Sequence, residues 1–150
     1  MTFCPDLSAC TFFVGETRLL AVGWLDDSHS FPTGPVPREV FDALVELLMN
    51  PWQPFVSAGG HECELCRSIR VGTQKVPVGS ANLFVPTEDV VYAAPSLILH
   101  YIDTHRYQPP GVFQDAVLRC PPMGSPTYLQ LVHAHRLERL KPNLRVASSR

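Results

Sequence analysis

The segment His61-Glu-Cys-Glu-Leu-Cys66 constrains this chain more than any other. Two cysteines with two residues between them place both sulfurs on one ion with little strain, and Cys63 and Cys66 have that spacing. A tetrahedral metal needs two further donors. Histidines with three to five residues between them on a helix are the usual second half of a Cys2His2 site, and His100 and His105 fall in that range. About 33 residues separate the two halves, so the pattern reads as a zinc finger with a long insertion. Zinc bound through Cys63, Cys66, His105 and His100 is therefore the leading expectation.

Helix geometry makes the histidines unequal. At about 100° per residue, His105 sits in the middle of the face formed by Leu97, Ile98, Tyr101 and Ile102, whereas His100 lies about 140° away. Both reach one ion only if the helix distorts between them. His61, two residues before Cys63, is the rival for the fourth position, and Cys120 is a further substitute. Redox cysteines are the competing reading of the pair. A thioredoxin-like motif would put the first cysteine at a helix start after a strand, without flanking glutamates such as Glu62 and Glu64.

Prolines and glycines divide the rest of the chain. Ala9–Val14 and Thr17–Leu25 alternate apolar and polar residues around Gly15-Glu16 and predict a hairpin. Residues 26–35 are too rich in turn formers to continue a strand. Pro37 opens a helix with Val40, Phe41, Leu44, Val45 and Leu48 on one face, and Asn50-Pro51 ends it. Pro54–Ala58 is strand-like, and Gly59-Gly60 then sets the cysteine pair on a turn. Asn82–Val85 and Asp89–Tyr92 predict a second hairpin. Further helices are expected after Pro95, over Gly111–Arg119, and from a Ser125 cap and Pro126 to Leu140, with Leu129, Val132, His133, Leu137 and Leu140 inward. The fold class read from this pattern is α+β: a small antiparallel sheet of two hairpins, about four helices and the zinc site, in one domain over 1–150.

Composition sets limits on function. The net charge of −2 argues against a whole-surface attraction to nucleic acid or anionic membrane. Arg136, Arg139, Lys141, Arg145 and Arg150 nevertheless form a basic end, which keeps nucleic acid as an alternative partner, with 141–150 read as a tail. No apolar run of spanning length and no signal-peptide pattern is present, so a cytoplasmic location is expected, with no membrane partner and reduced cysteines. The motifs of zinc proteases, deaminases, serine hydrolases and phosphate loops are absent. A zinc hydrolase using Glu62 or Glu64 as base is the enzymatic alternative. The preferred reading is a small zinc-stabilised accessory protein that binds a protein partner, with Trp24, Phe31 and Trp52 as candidate exposed aromatics.

The chain also carries Val91-Tyr-Ala-Ala-Pro-x-Leu-Ile-x-His-Tyr-Ile102, His105-x-Tyr-x-Pro-Pro110 and Cys120-Pro-Pro-Met-Gly-Ser125. With Phe31-Pro-Thr-Gly-Pro-Val-Pro37 and His61-x-Cys-x-x-Cys66, these segments resemble a group of uncharacterised bacterial proteins over most of the chain. The resemblance implies a domain built around these motifs and no particular reaction.

Overall fold

A computed structural model describes residues 3–56, 60–69, 72 and 75–144. Its centre is a three-stranded sheet of β2 (Leu19–Ala21), β6 (Val91–Pro95) and β5 (Asn82–Pro86), with β6 in the middle. β5 and β6 form the expected hairpin, in a register that sets Phe84 opposite Ala93. Thr87 closes the turn: its hydroxyl donates to the Val90 carbonyl at 2.8 Å and accepts from the Val90 N–H at 3.0 Å.

The first predicted hairpin does not form as a ladder. Only an isolated bridge between Ala9 and Leu20 survives of it, with the Cys10 N–H donating to the Leu19 carbonyl at 2.8 Å. β2 instead runs parallel to β6, Leu20 beside Tyr92. β1 (Phe13–Val14) pairs antiparallel with β7 (Lys141–Pro142). Alternation specifies which face a residue presents but not which strand lies beside it. Gly15 lies in the bend after β1 and also against Leu140, whose Cδ2 would be 2.5 Å from a Cβ there and would have to shift. The sheet system is thus mixed rather than purely antiparallel, because a parallel crossover leaves no local turn signal.

Each face of the central sheet is covered, as the fully buried β6 requires. Leu83, Val85, Tyr92 and Ala94 face α1 (Arg38–Met49), α3 (Ile98–His105) and α4 (Gly111–Arg119). Phe84, Val91 and Ala93 face Trp24, the N-terminal segment and α5 (Pro126–Ala134). Trp24, expected as an exposed aromatic, is buried here and donates its indole N–H to the Ala93 carbonyl at 2.9 Å. Phe31 and Trp52 are half-buried against the core.

α4 has the predicted bounds, and the Ser125 side chain caps α5 by accepting from the Tyr128 N–H at 3.2 Å. α5 stops at Ala134, however, where the expected helix ran on to Leu140. Arg136 turns left-handed at φ 53° and a 3-10 turn follows over Leu137–Arg139. The inward residues are Tyr128, Val132, Leu137 and Leu140, while Leu129 and His133 are exposed. Tyr128 decides this register, since its buried hydroxyl donates to the Phe84 carbonyl at 2.7 Å.

Around the cysteine pair the local structure departs from expectation. Pro54–Val56 form no strand, and residues 57–59, including Gly59 of the predicted turn, lie outside the described residues. β3 (His61–Glu62) pairs with β4 (Val78–Gly79), and a fifth α-helix, α2 (Glu64–Ile69), begins directly after Cys63. Gly79 lets this pair lie close to the start of α3, because a Cβ there would meet Ser96 Oγ at 2.7 Å and Leu97 Cγ at 2.9 Å. No described helix is long and apolar enough to cross a membrane.

Candidate metal centre

Cys63 stands between β3 and α2 and Cys66 lies in the first turn of α2, so the two sulfurs belong to a strand-to-helix junction rather than to a free turn. The Cys66 N–H donates to Cys63 Sγ at 3.4 Å. Backbone donors aimed at sulfur stabilise negative charge on it, as a thiolate ligand requires. Arg67 lies 3.6 Å from Glu62 and 3.9 Å from Glu64, which offsets part of the acidity flanking the pair.

The other half comes from α3. The His100 and His105 rings both lie beside Tyr101, with centroids 6.1 and 6.5 Å from the Tyr101 ring. Their own rings are 5.0 Å apart and nearly perpendicular. Ideal helical rotation would separate them, but α3 closes on a wide turn. The Arg106 N–H reaches back five residues to the Tyr101 carbonyl, and Arg106 is left-handed at φ 58°. At this end of the helix the two imidazoles meet.

The result is a single four-donor group. Cys66 Sγ lies 3.2 Å from His100 Nε2 and 3.3 Å from His105 Nε2, and Cys63 Sγ lies 3.5 Å from His105 Nε2. The four donor atoms all fall within 4.8 Å of one another, and among the described residues this is the one such group of three or more. It can hold a metal ion. His61 is outside it: its backbone pairs with Gly79, and its ring lies 6.1 Å from that of Trp24. Cys120 is outside it as well, packed between the two apolar clusters.

Burial tunes the donors. It pushes the Cys63 thiol up to about 11. It lowers both histidines, with Asp103 opposing the shift at His100 and His100 reinforcing it at His105. Neutral imidazole is the ligating form, so this direction favours a metal. Thr104, which spacing alone did not single out, holds His100 from behind: its Oγ1 lies 3.2 Å from Nδ1. A proton on Nδ1 leaves Nε2 free to ligate. Its i+4 position from His100 on one helix was the available signal. Ser68 Oγ on α2 donates to Asp27 Oδ2 at 2.7 Å, tying the metal helix to the 26–35 loop.

Two arginines of the basic end share one carboxylate: Arg136 and Arg139 contact Glu16 at 2.7 and 3.4 Å, which offsets one of their two charges. Arg145 and Arg150 lie outside the described residues. No curated protein and no solved structure matches the chain. Residues 2–118 match the family described as Domain of unknown function (DUF7919). With 117 of its 150 residues inside that match, the chain belongs to this family, whose function is not established.

Proposed function

We propose that Cys63, Cys66, His100 and His105 bind one zinc ion in a structural role, and that the chain is a single zinc-stabilised domain serving as a cytoplasmic protein-binding or accessory module. Donor spacing carries the reading. Zinc–sulfur and zinc–nitrogen bonds of about 2.3 and 2.0–2.1 Å in a tetrahedron put sulfur and nitrogen about 3.5 Å apart. The three sulfur–nitrogen separations are 3.2, 3.3 and 3.5 Å. Thiolate with imidazole is also the donor set that suits zinc over magnesium or calcium.

A structural role follows from the fourth protein donor, since catalytic zinc keeps one position open for water. Glu62 and Glu64, the candidate bases of a hydrolase, are instead engaged with Arg67. Nucleic-acid binding loses support from the pairing of Arg136 and Arg139 with Glu16. Protein binding rests on Ile69 and Val78, 71% and 61% exposed on the clasped segment. A one-domain chain fits the packing of Cys120 and Met123 against both apolar clusters.

Two measurements test the ligand set. His105→Ala is expected to abolish stoichiometric zinc while His61→Ala keeps it, read by metal analysis after gel filtration; the reverse result would install His61 as the ligand. Affinity should also depend on pH. With its thiol near 11, Cys63 is protonated at neutral pH and loses a proton on binding. The logarithm of the apparent affinity therefore rises by about one unit or more per pH unit above neutrality. The lowered histidines add competition only on the acid side of the ordinary histidine value of about 6.5. Competition titrations at several pH values check this, and a flat profile contradicts thiolate ligation.

A further inference from the structure

We propose that the metal clasp is oxidant-sensitive: hydrogen peroxide converts Cys63 and Cys66 into an intrachain disulfide, expels the ion and so uncouples α2 from α3. This rests on the metal reading above and adds a regulation to it. The two sulfurs have different access. Cys63 is fully buried, whereas Cys66 is half-buried. The sulfurs sit together within the four-donor group, on either side of the start of a six-residue helix. Cys63 immediately precedes α2 and Cys66 lies in its first turn, so the Cys-x-x-Cys pair stands at a helix N-terminus after a strand.

The chemistry balances. The Cys66 thiolate attacks one peroxide oxygen, the O–O bond breaks, and the departing hydroxide takes a proton to become water, leaving a sulfenic acid. The Cys63 thiolate then attacks the Cys66 sulfur; the S–S bond forms, and the second hydroxide leaves as water with another proton. Two thiolates supply the two electrons that reduce the peroxide. A disulfide retains neither anionic sulfur, so His100 and His105 alone remain to hold the ion, and it dissociates.

The other cysteines are poorly placed to compete. Burial pushes the Cys10 and Cys120 thiols up to about 12, and thiols that stay protonated react slowly with peroxide. Cys4 is buried, with its sulfur 3.3 Å from Ser8 Oγ and 3.6 Å from the Ala9 carbonyl.

The experiment treats the full chain, loaded with one equivalent of zinc, with hydrogen peroxide. Freed zinc is followed with a chromogenic chelator, and the product is mapped by peptide mass. The expected result is one zinc released per chain, loss of two of the five thiols, and a Cys63–Cys66 disulfide, with dithiothreitol and added zinc restoring the starting state. Zinc uptake followed by retention under peroxide overturns this proposal alone. So does release accompanied by sulfinic or sulfonic acid at Cys66, or by oxidation of Cys4, Cys10 or Cys120 in place of the disulfide. A chain that takes up no zinc before the oxidant is added overturns the metal reading as well.

Discussion

Stripping zinc with a chelator should lower the thermal midpoint of the chain by roughly 8–16 °C relative to protein held at a free zinc concentration about 1,000 times Kd. Binding to the native state alone at that excess contributes about 4 kcal/mol. For a chain of this size, each kcal/mol moves the midpoint by about 2–4 °C. The local structure explains why so much depends on the ion. α2 is six residues long and has no fully buried residue, so it is too short to be stable by propensity and only the half-buried Leu65 and Cys66 pack it on the core. What anchors this segment is the fully buried Cys63, the short β3–β4 pair and the Ser68–Asp27 bond. Cys63→Ser should reproduce the chelated midpoint and abolish its response to zinc. An unchanged midpoint with and without metal would mean that the clasp contributes nothing to stability.

The second large effect lies on the opposite face of the sheet. Phe84 is fully buried, its ring is edge-on to Phe13 and Trp52, and its carbonyl receives the Tyr128 hydroxyl. Phe84→Ala removes a large side chain from between the sheet and α5 and is expected to cost about 3–5 kcal/mol in denaturant unfolding. Metal binding should survive, because Phe84 points away from the cluster that contains Cys63 and Tyr101. If this variant unfolded with little loss of stability, the packing of α5 on β5 would be wrong. If it lost zinc while remaining folded, the independence of the two faces would be.

The parts of this fold that were legible in the sequence are those with local causes. Pro37 and Ser125-Pro126 mark helix starts because proline and small polar caps act within one turn, and α1 and the start of α5 lie where these residues place them, while α4 has the bounds read from its own amphipathic pattern. The β5–β6 hairpin was equally visible, since Thr87 closes it over a few residues. Pairings with distant partners were not. Nothing near Leu19–Ala21 signals that it runs parallel to residues some 70 positions later, and nothing near Phe13 points to Pro142. α2 was missed because six residues carry too little periodicity to register, and Trp24 was misplaced because its buried hydrogen bond is to a carbonyl remote in sequence.

At the candidate site the spacing pointed to the four side chains that the fold brings together, but not to how their helix presents them. His100 was kept as a ligand candidate although an ideal helix turns it about 140° from His105; the two rings lie 5.0 Å apart where α3 ends at the left-handed Arg106. That helix end rests on a left-handed residue that is not glycine, a conformation composition does not announce. His61 was a fair rival on spacing, and its pairing with Gly79 in β3–β4 takes it out of the group.

Native mass spectrometry of the chain purified without added metal chelators, beside Cys63→Ser and His105→Ala, tests the central claim most directly. The account predicts one zinc per native chain and none in either variant. A metal-free native chain, or a zinc ion that persists undiminished in both variants, would contradict it.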